Sequence, residues 1–162
     1  MFERLPSGSS IFLDANVLLY HALEARPSCA LLLGRARTRE IRGVTSPVVL
    51  GEVFHRLTLA EAVQRFQLPS STAALNLLRR HPEHLASFTS AHQFMAQIPK
   101  LRIRVLPIRW REMMLAAALS RRHHLLANDA LIVATMVIHH LVHLATNDDD
   151  FRDVPGITIW RP

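Results

Sequence analysis

A chain of 162 residues with 49% hydrophobic and 20% charged side chains has the apolar surface for one buried core and too ordinary a balance for a disordered segment. Its single cysteine, Cys29, excludes an internal disulfide framework and is read as a small buried apolar side chain. The most apolar run, Ala130 to Ile138, falls short of the roughly 20 residues that cross a bilayer, and no secretory signal is legible around Glu3, Arg4 and Pro6; the expectation is a soluble, cytoplasmic protein with no membrane partner.

The net charge of +6 is unevenly spread. Residues 1 to 57 carry 7 basic and 5 acidic groups, residues 58 to 127 carry 10 and 3, and residues 128 to 162 carry 2 and 5. A basic middle beside an acidic end suits a surface for phosphate backbones next to a pocket for a cation. All six aspartates fall at Asp14, Asp129, Asp148, Asp149, Asp150 and Asp153, and three of the four asparagines, Asn16, Asn128 and Asn147, sit beside them. Such clustering suggests that distant segments bring acids to one place, as a divalent-cation site requires.

In chain order, Ser10 to Leu13 reads as a strand that stops at Asp14, and Ala15 to Leu23 as a helix. Asp14 and Asn16 fit two roles, ligands at the carboxyl end of a strand or caps of the following helix. Ser28 to Arg39 reads as a helix with a basic face and Ile41 to Thr45 as a second strand. Ser46-Pro47 then starts a helix with an apolar stripe through Val49, Leu50, Val53, Phe54 and Leu57. Glu52 flanks that stripe, and its simplest role is an i, i+4 surface pair with Arg56.

Residues 58 to 99 read as helices only, at about Leu59 to Gln67, Ser71 to Arg80 and Glu83 to Ile98, punctuated by Pro69 and Pro82; this is the expected helical projection of a single domain spanning residues 1 to 162. Arg65, Arg79 and Arg80 there are either nucleic-acid contacts or a solvated face. Arg102 to Ile108 reads as a third strand, and Arg109 to His124 as a helix whose Met113 and Met114 are expected to fill core.

Asn128 is expected to cap the helix that follows, with Asp129 in its first turn. That helix is apolar on every face and so is buried, and an acid at its entrance needs a partner such as a cation. Leu141 to Ala145 reads as a fourth strand running into Thr146, with the acids Asp148, Asp149 and Asp150 at its carboxyl end. Solvation in a turn is the expected fate of Asp149 and Asp153. Ile157 to Trp160 reads as the fifth strand. Strands alternating with helices indicate an α/β fold around a parallel sheet.

Four separated pieces, IFLDANVLLY, SPVVLGEVFHRL, NDALIVATMVIH and LATNDDDF, together resemble the PIN-domain family, and within it the toxin ribonucleases called VapC. The resemblance implies a three-layer α/β/α domain with a central, mostly parallel five-stranded sheet. It implies Asp14, Asp129 and Asp148 as metal-binding acids, Glu52 as a fourth catalytic acid in place of a mere surface pair, and Asn16, Thr146 and Asp150 as accessory groups. It further implies a Mg²⁺- or Mn²⁺-dependent endoribonuclease that leaves a 5′-phosphate and a 3′-hydroxyl, an RNA substrate, a small antitoxin partner and a homodimer. Oxygen-only ligands suit those cations. His139-His140 stands where the family usually has a small or glycine-containing turn, and the helical middle is longer than in compact members.

Two other classes compete. One is a PIN-like module that binds RNA or protein without cutting, against which the complete acidic set argues. The other is a phosphatase of the haloacid-dehalogenase type, which would need an aspartate where Asn16 stands. No glycine-rich dinucleotide fingerprint or P-loop lysine is present. The histidine pairs His139/His143 and His81/His84 lack cysteine or HExxH partners, so zinc is not expected.

Overall fold

The computed structural model describes residues 2–162, leaving Met1 outside. Five short strands form one sheet: β1 (Ser10–Leu13), β2 (Arg42–Thr45), β3 (Arg104–Val105), β4 (His143–Ala145) and β5 (Thr158–Trp160). Their order is β3-β2-β1-β4-β5, and every neighbouring pair is parallel, so the sheet is wholly rather than mostly parallel. Seven α-helices are described: α1 (Ala15–Ala22), α2 (Pro27–Arg37), α3 (Pro47–Arg65), α4 (Ser71–Arg80), α5 (Ser90–Gln97), α6 (Trp110–His123) and α7 (Ala127–Ile138). α6 packs on α7, while α1, α2 and α3 pack in series with α4 and α5 against α3.

The chain leaves β1 toward β2 on one side and returns beside β1 as β4 on the other. The register Leu13↔Ala145 therefore brings the residues after β1 and after β4, Asp14 and Thr146, side by side. This is the crevice where strand order reverses, the usual ligand position of open α/β sheets. Asp14 extends the ladder through its own N–H, which donates to the Ala145 carbonyl at 3.1 Å.

The strands are shorter than the sequence suggests, for local reasons. The expected third strand from Arg102 to Ile108 shrinks to two residues because Arg102 is left-handed at φ 57° and Pro107 has no N–H to pair. Leu141 donates to the Met136 carbonyl at 2.9 Å, so it closes the turn after α7 rather than opening β4.

The helices depart in three places. Ser46 caps α3 as expected, its Oγ accepting from the Val49 N–H at 3.5 Å, but α3 runs without a break through the residues expected to begin a new helix at Leu59. The expected helix from Glu83 to Ile98 is split into a 3₁₀ segment, Pro82–Ser87, and α5. The Glu61 carboxylate of α3 causes the restart, accepting from the N–H groups of Thr89 at 3.1 Å and Ser90 at 2.8 Å. Asn128 does not cap α7: the cap lies two residues earlier at Leu126, whose carbonyl accepts from Ala130 N–H at 2.9 Å, so Asn128 lies inside the first turn.

One large core unites the sheet with α1, α2 and α7, and a smaller one joins Leu59, Ala62, Ala74, Leu78 and Phe88 beneath α4. Cys29 is buried in the large core. Met113 and Met114 do not fill it; they are 47% and 54% exposed beside Trp110, 76% exposed, on the outer face of α6. The helix is aimed by Ala116 and Glu112 instead, both buried. Among the described residues, no helix is long and apolar enough to cross a membrane.

Candidate functional site

Asp14 sits at the end of β1 as the N-cap of α1, so the two roles its position allowed are combined in one side chain. Its Oδ1 accepts from the Ala15 N–H at 2.6 Å. Its Oδ2 accepts from Thr146 Oγ1 at 2.7 Å and from Asn16 Nδ2 at 3.2 Å. The residue is only 5% exposed. Thr146, fully buried, also accepts from the Asp148 N–H at 3.0 Å, and Asp148 Oδ1 accepts from the Asp150 N–H at 3.0 Å. A continuous hydrogen-bond path thus runs from Asp150 through Asp148 and Thr146 to Asp14. Both oxygens of Asp14 are oriented by protein donors; Oδ2 accepts two hydrogen bonds and Oδ1 one, so Oδ1 keeps lone-pair capacity for a further ligand.

The other two acids come from helices. α3 carries Glu52, and the first turn of the buried helix α7 carries Asp129. Their charges act on one another, which puts them in the same region of the molecule. Burial pushes the Asp14 carboxyl above its usual value, opposed by the hydrogen bonds from Thr146 and Ala15, with the charges of Glu52 and Asp148 pushing it further up. Asp129 is raised from 3.8 to about 6, first by burial and then by the charges of Asp148, Asp14, Asp150 and Glu52. A group surrounded by four other carboxylates is in an environment that favours a bound cation.

The pocket's described basic contact is Arg56. Its Nη1 lies 3.4 Å from Glu52 Oε1, the expected i, i+4 pair, and 3.3 Å from Asn16 Oδ1. The surface-pair role of Glu52 is therefore realised, and that pair lies at the rim of the acid cluster. Tyr20 was not singled out in the sequence; its hydroxyl accepts from Asn147 Nδ2 at 3.4 Å, which links α1 to the acidic turn. Its place one helical turn beyond Asn16 is the signal that would have found it.

Asp149 separates from its neighbours. Instead of being merely solvated, it is ion-paired with Arg152 at 2.7 Å and with Arg161. The hydrogen bond from Arg161, then the charge of Arg152, hold its carboxyl below the usual value. It is the aspartate of the DDD run whose charge is spent on protein partners.

The donor set fits a hard divalent cation: carboxylate oxygens from four segments, no sulfur, no imidazole, and an excess of negative charge expressed in the raised Asp129 and Asp14. Asp14, Asp129 and Asp148 would hold such an ion, with Glu52 and Asp150 at its margin. Among the described residues, the group whose ligand atoms all lie within 4.8 Å of one another is a different one, His81, Glu83 and His84. The ligand atoms of Asp14, Asp129 and Asp148 do not all lie within that distance of one another. The His81 Nδ1–Glu83 Oε1 contact, 3.1 Å, is a hydrogen bond at the start of the exposed 3₁₀ segment.

The PIN domain family model matches residues 11–157. Ribonuclease VapC2 of Methanocaldococcus jannaschii is 27% identical over 156 residues, covering 93% of each chain. Among solved structures, the sarcin-ricin-loop-cleaving toxin VapC20 of Mycobacterium tuberculosis superposes with a TM-score of 0.61 at 19% identity, over 94% of this chain and 99% of that one. VapBC2 of Rickettsia felis, bound to a DNA fragment of its promoter, gives 0.59 at 14% identity over 94% and 98%. At these identities the structural likeness is one of fold, and the three-layer α/β arrangement with a five-stranded central sheet is that fold.

Proposed function

Because this chain belongs to the PIN-domain family, we propose that it is an endoribonuclease dependent on Mg²⁺ or Mn²⁺, and the toxin of a toxin–antitoxin pair. The observation that carries the reading is the convergence of Asp14, Glu52, Asp129 and Asp148 from four separate segments into one pocket where Asp129 feels every other acid. The name of the M. jannaschii relative, aligned over nearly the whole chain, supports the ribonuclease half. The VapBC complexes among the structural neighbours support a partner antitoxin.

A bound divalent cation would lower the pKa of a water, and would offset charge on a phosphodiester. The chain supplies the rest. Asp14, locked by Thr146 and Ala15, fixes the floor of the site; Asp129 and Asp148 face it from α7 and the turn after β4. Asn16 holds Asp14 from one side and Arg56 from the other, leaving the Arg56 guanidinium at the rim, where an RNA phosphate approaches. Water adds to phosphorus and gives up a proton, the bond from phosphorus to the 3′ oxygen breaks and that oxygen takes up a proton, so the products carry a 5′-phosphate and a 3′-hydroxyl. No protein nucleophile is needed.

The exposed apolar side chains on α6, Trp110, Met113 and Met114, support a homodimer that covers them. The segment 58 to 99, with its own small core, is the helical projection of the same domain and stands beside the site through α3. The test is metal-dependent cleavage of structured RNA by the wild type and by Asp14→Asn: loss of cleavage in the variant, with folding intact, supports the assignment, and equal cleavage overturns it.

A further inference from the structure

At the opposite end of the sheet from the acids lies a cavity of about 640 Å³. Ser10 lines it at the start of β1, whereas Asp14 follows the end of that strand, so the two sites are about 13 Å apart at about 3.3 Å per residue. Four arginines line the cavity: Arg39, Arg42, Arg102 and Arg104; no carboxylate does.

These arginines have no acidic partner among the described residues. Glu40, adjacent to Arg39, is taken by Arg35 at 2.6 Å and by Ser7 at 3.1 Å. Glu112, whose charge reaches His139, is committed to the Arg109 N–H at 2.9 Å and to Arg111 at 3.3 Å. Four unpaired guanidinium groups around one concavity repel one another, and an anion relieves that repulsion.

Backbone placement reinforces the point. Arg39 and Arg102 are both left-handed, at φ 63° and φ 57°. Arg39 directly follows the cap of α2, and Arg102 ends the turn that follows α5: Arg39 N–H donates to Ala36 O and Glu40 N–H to Arg35 O, and likewise Arg102 N–H to Pro99 O and Ile103 N–H to Ile98 O. Glycine is the usual residue at positive φ, since a side chain there is strained. The attraction of a helix end for cations reaches only the last turn, so it does not account for Arg42 and Arg104 on the strands.

His139 supplies a further, independent sign. It lines the same cavity, and its Nε2 is buried with no hydrogen-bond partner. A buried polar atom of this kind is destabilising unless something satisfies it. Burial, followed by the charge of Arg104, holds the imidazole below its usual pKa, which favours its neutral form.

We propose that this cavity is a second ligand site, which takes the phosphate monoester of a nucleotide between Arg42, Arg102 and Arg104, with the base over the apolar floor formed by Leu106 and Leu141. Planar forks match phosphate oxygens in pairs, and the volume is that of a small-ligand pocket rather than a flat contact. The monoester belongs either to a free nucleotide or to the 5′ end of an RNA chain. Neither requires cleavage, so the site stands or falls apart from the acid cluster.

The test is calorimetric titration in EDTA, where the metal-free acids repel phosphate. The probes are adenosine 5′-monophosphate and a 2′-O-methyl oligoribonucleotide with and without a 5′-phosphate. The proteins are wild type, Arg42→Gln/Arg104→Gln, Arg104→Gln alone in case the double variant does not fold, and Arg80→Gln as a control on exposed charge elsewhere. The site predicts binding by wild type and the control, and at least tenfold weaker binding by the Arg104 variants. Weakening with the mononucleotide identifies a free nucleotide as the source; weakening confined to the phosphorylated oligonucleotide identifies an RNA end. The proposal is overturned if no monoester probe binds, or if all the proteins bind alike.

Discussion

Thr146 Oγ1 donates to Asp14 Oδ2 at 2.7 Å across 132 positions of sequence, and this one bond fastens the end of β4 to the end of β1 inside the pocket. Thr146→Val keeps the shape and removes the hydroxyl, leaving Asp14 short of a donor and the Asp148 N–H short of an acceptor. The expected loss is about 1–3 kcal/mol in urea unfolding, together with an approximately tenfold fall in cleavage. Thr146→Ser restores most of both.

Asp129 gives the metal-free protein a definite pH dependence. Its carboxyl titrates near 3.8 unfolded and at about 6 folded, so between those values the folded chain binds more protons. Stability therefore falls as pH rises from about 4 to about 6, by about 1–2 kcal/mol once solvent screening of this half-exposed carboxyl is allowed for. The penalty is absent below the lower value and fully present above the upper one. Denaturation in EDTA across that range detects it, and Asp129→Asn flattens the curve. Added Mg²⁺ restores stability to the wild type at pH 7 and has little effect on the variant.

Arg56 is the cation at the rim, so Arg56→Gln separates two of its effects. Loss of a half-exposed pair with Glu52 changes stability by about 0.5 kcal/mol or less. Removal of the positive charge tightens Mn²⁺ binding by calorimetry, roughly two- to fivefold, while weakening of RNA binding appears as a raised KM.

The adjacent aspartates should behave oppositely. Asp148→Asn removes a pocket charge tied to Thr146, and cleavage falls by about 100-fold or more. Asp149→Asn breaks pairs with Arg152 and Arg161 on the far side of the turn, and cleavage stays within about twofold. Single-turnover assays on one RNA read both.

The sequence pointed to Asp14, Asp129 and Asp148 as candidates because acids confined to strand ends and to the entry of an all-apolar helix leave a compositional mark. Asp149 carries the same mark and differs only through Arg152 and Arg161, whose approach depends on where β5 ends. Glu52 was read from its own helix as an ion-pair partner, which it is; its place at the pocket rim depends on how α3 packs against α1. The split of the expected helix at Phe88 follows from a tertiary cap by Glu61, and the exposure of Met113 and Met114 from the rotation of α6, neither of which periodicity fixes. The arginine cavity was invisible for the same reason: Arg39, Arg42, Arg102 and Arg104 meet only because β3 pairs with β2.

The central claim is that the acid cluster cuts RNA with a divalent cation. Its most direct test is sequencing of the RNA ends produced by wild type and by Asp129→Asn, each with and without Mg²⁺. Discrete new ends bearing 5′-phosphate and 3′-hydroxyl, present only for wild type with Mg²⁺, are the predicted result. The same ends from Asp129→Asn, or from wild type in EDTA, would contradict the account.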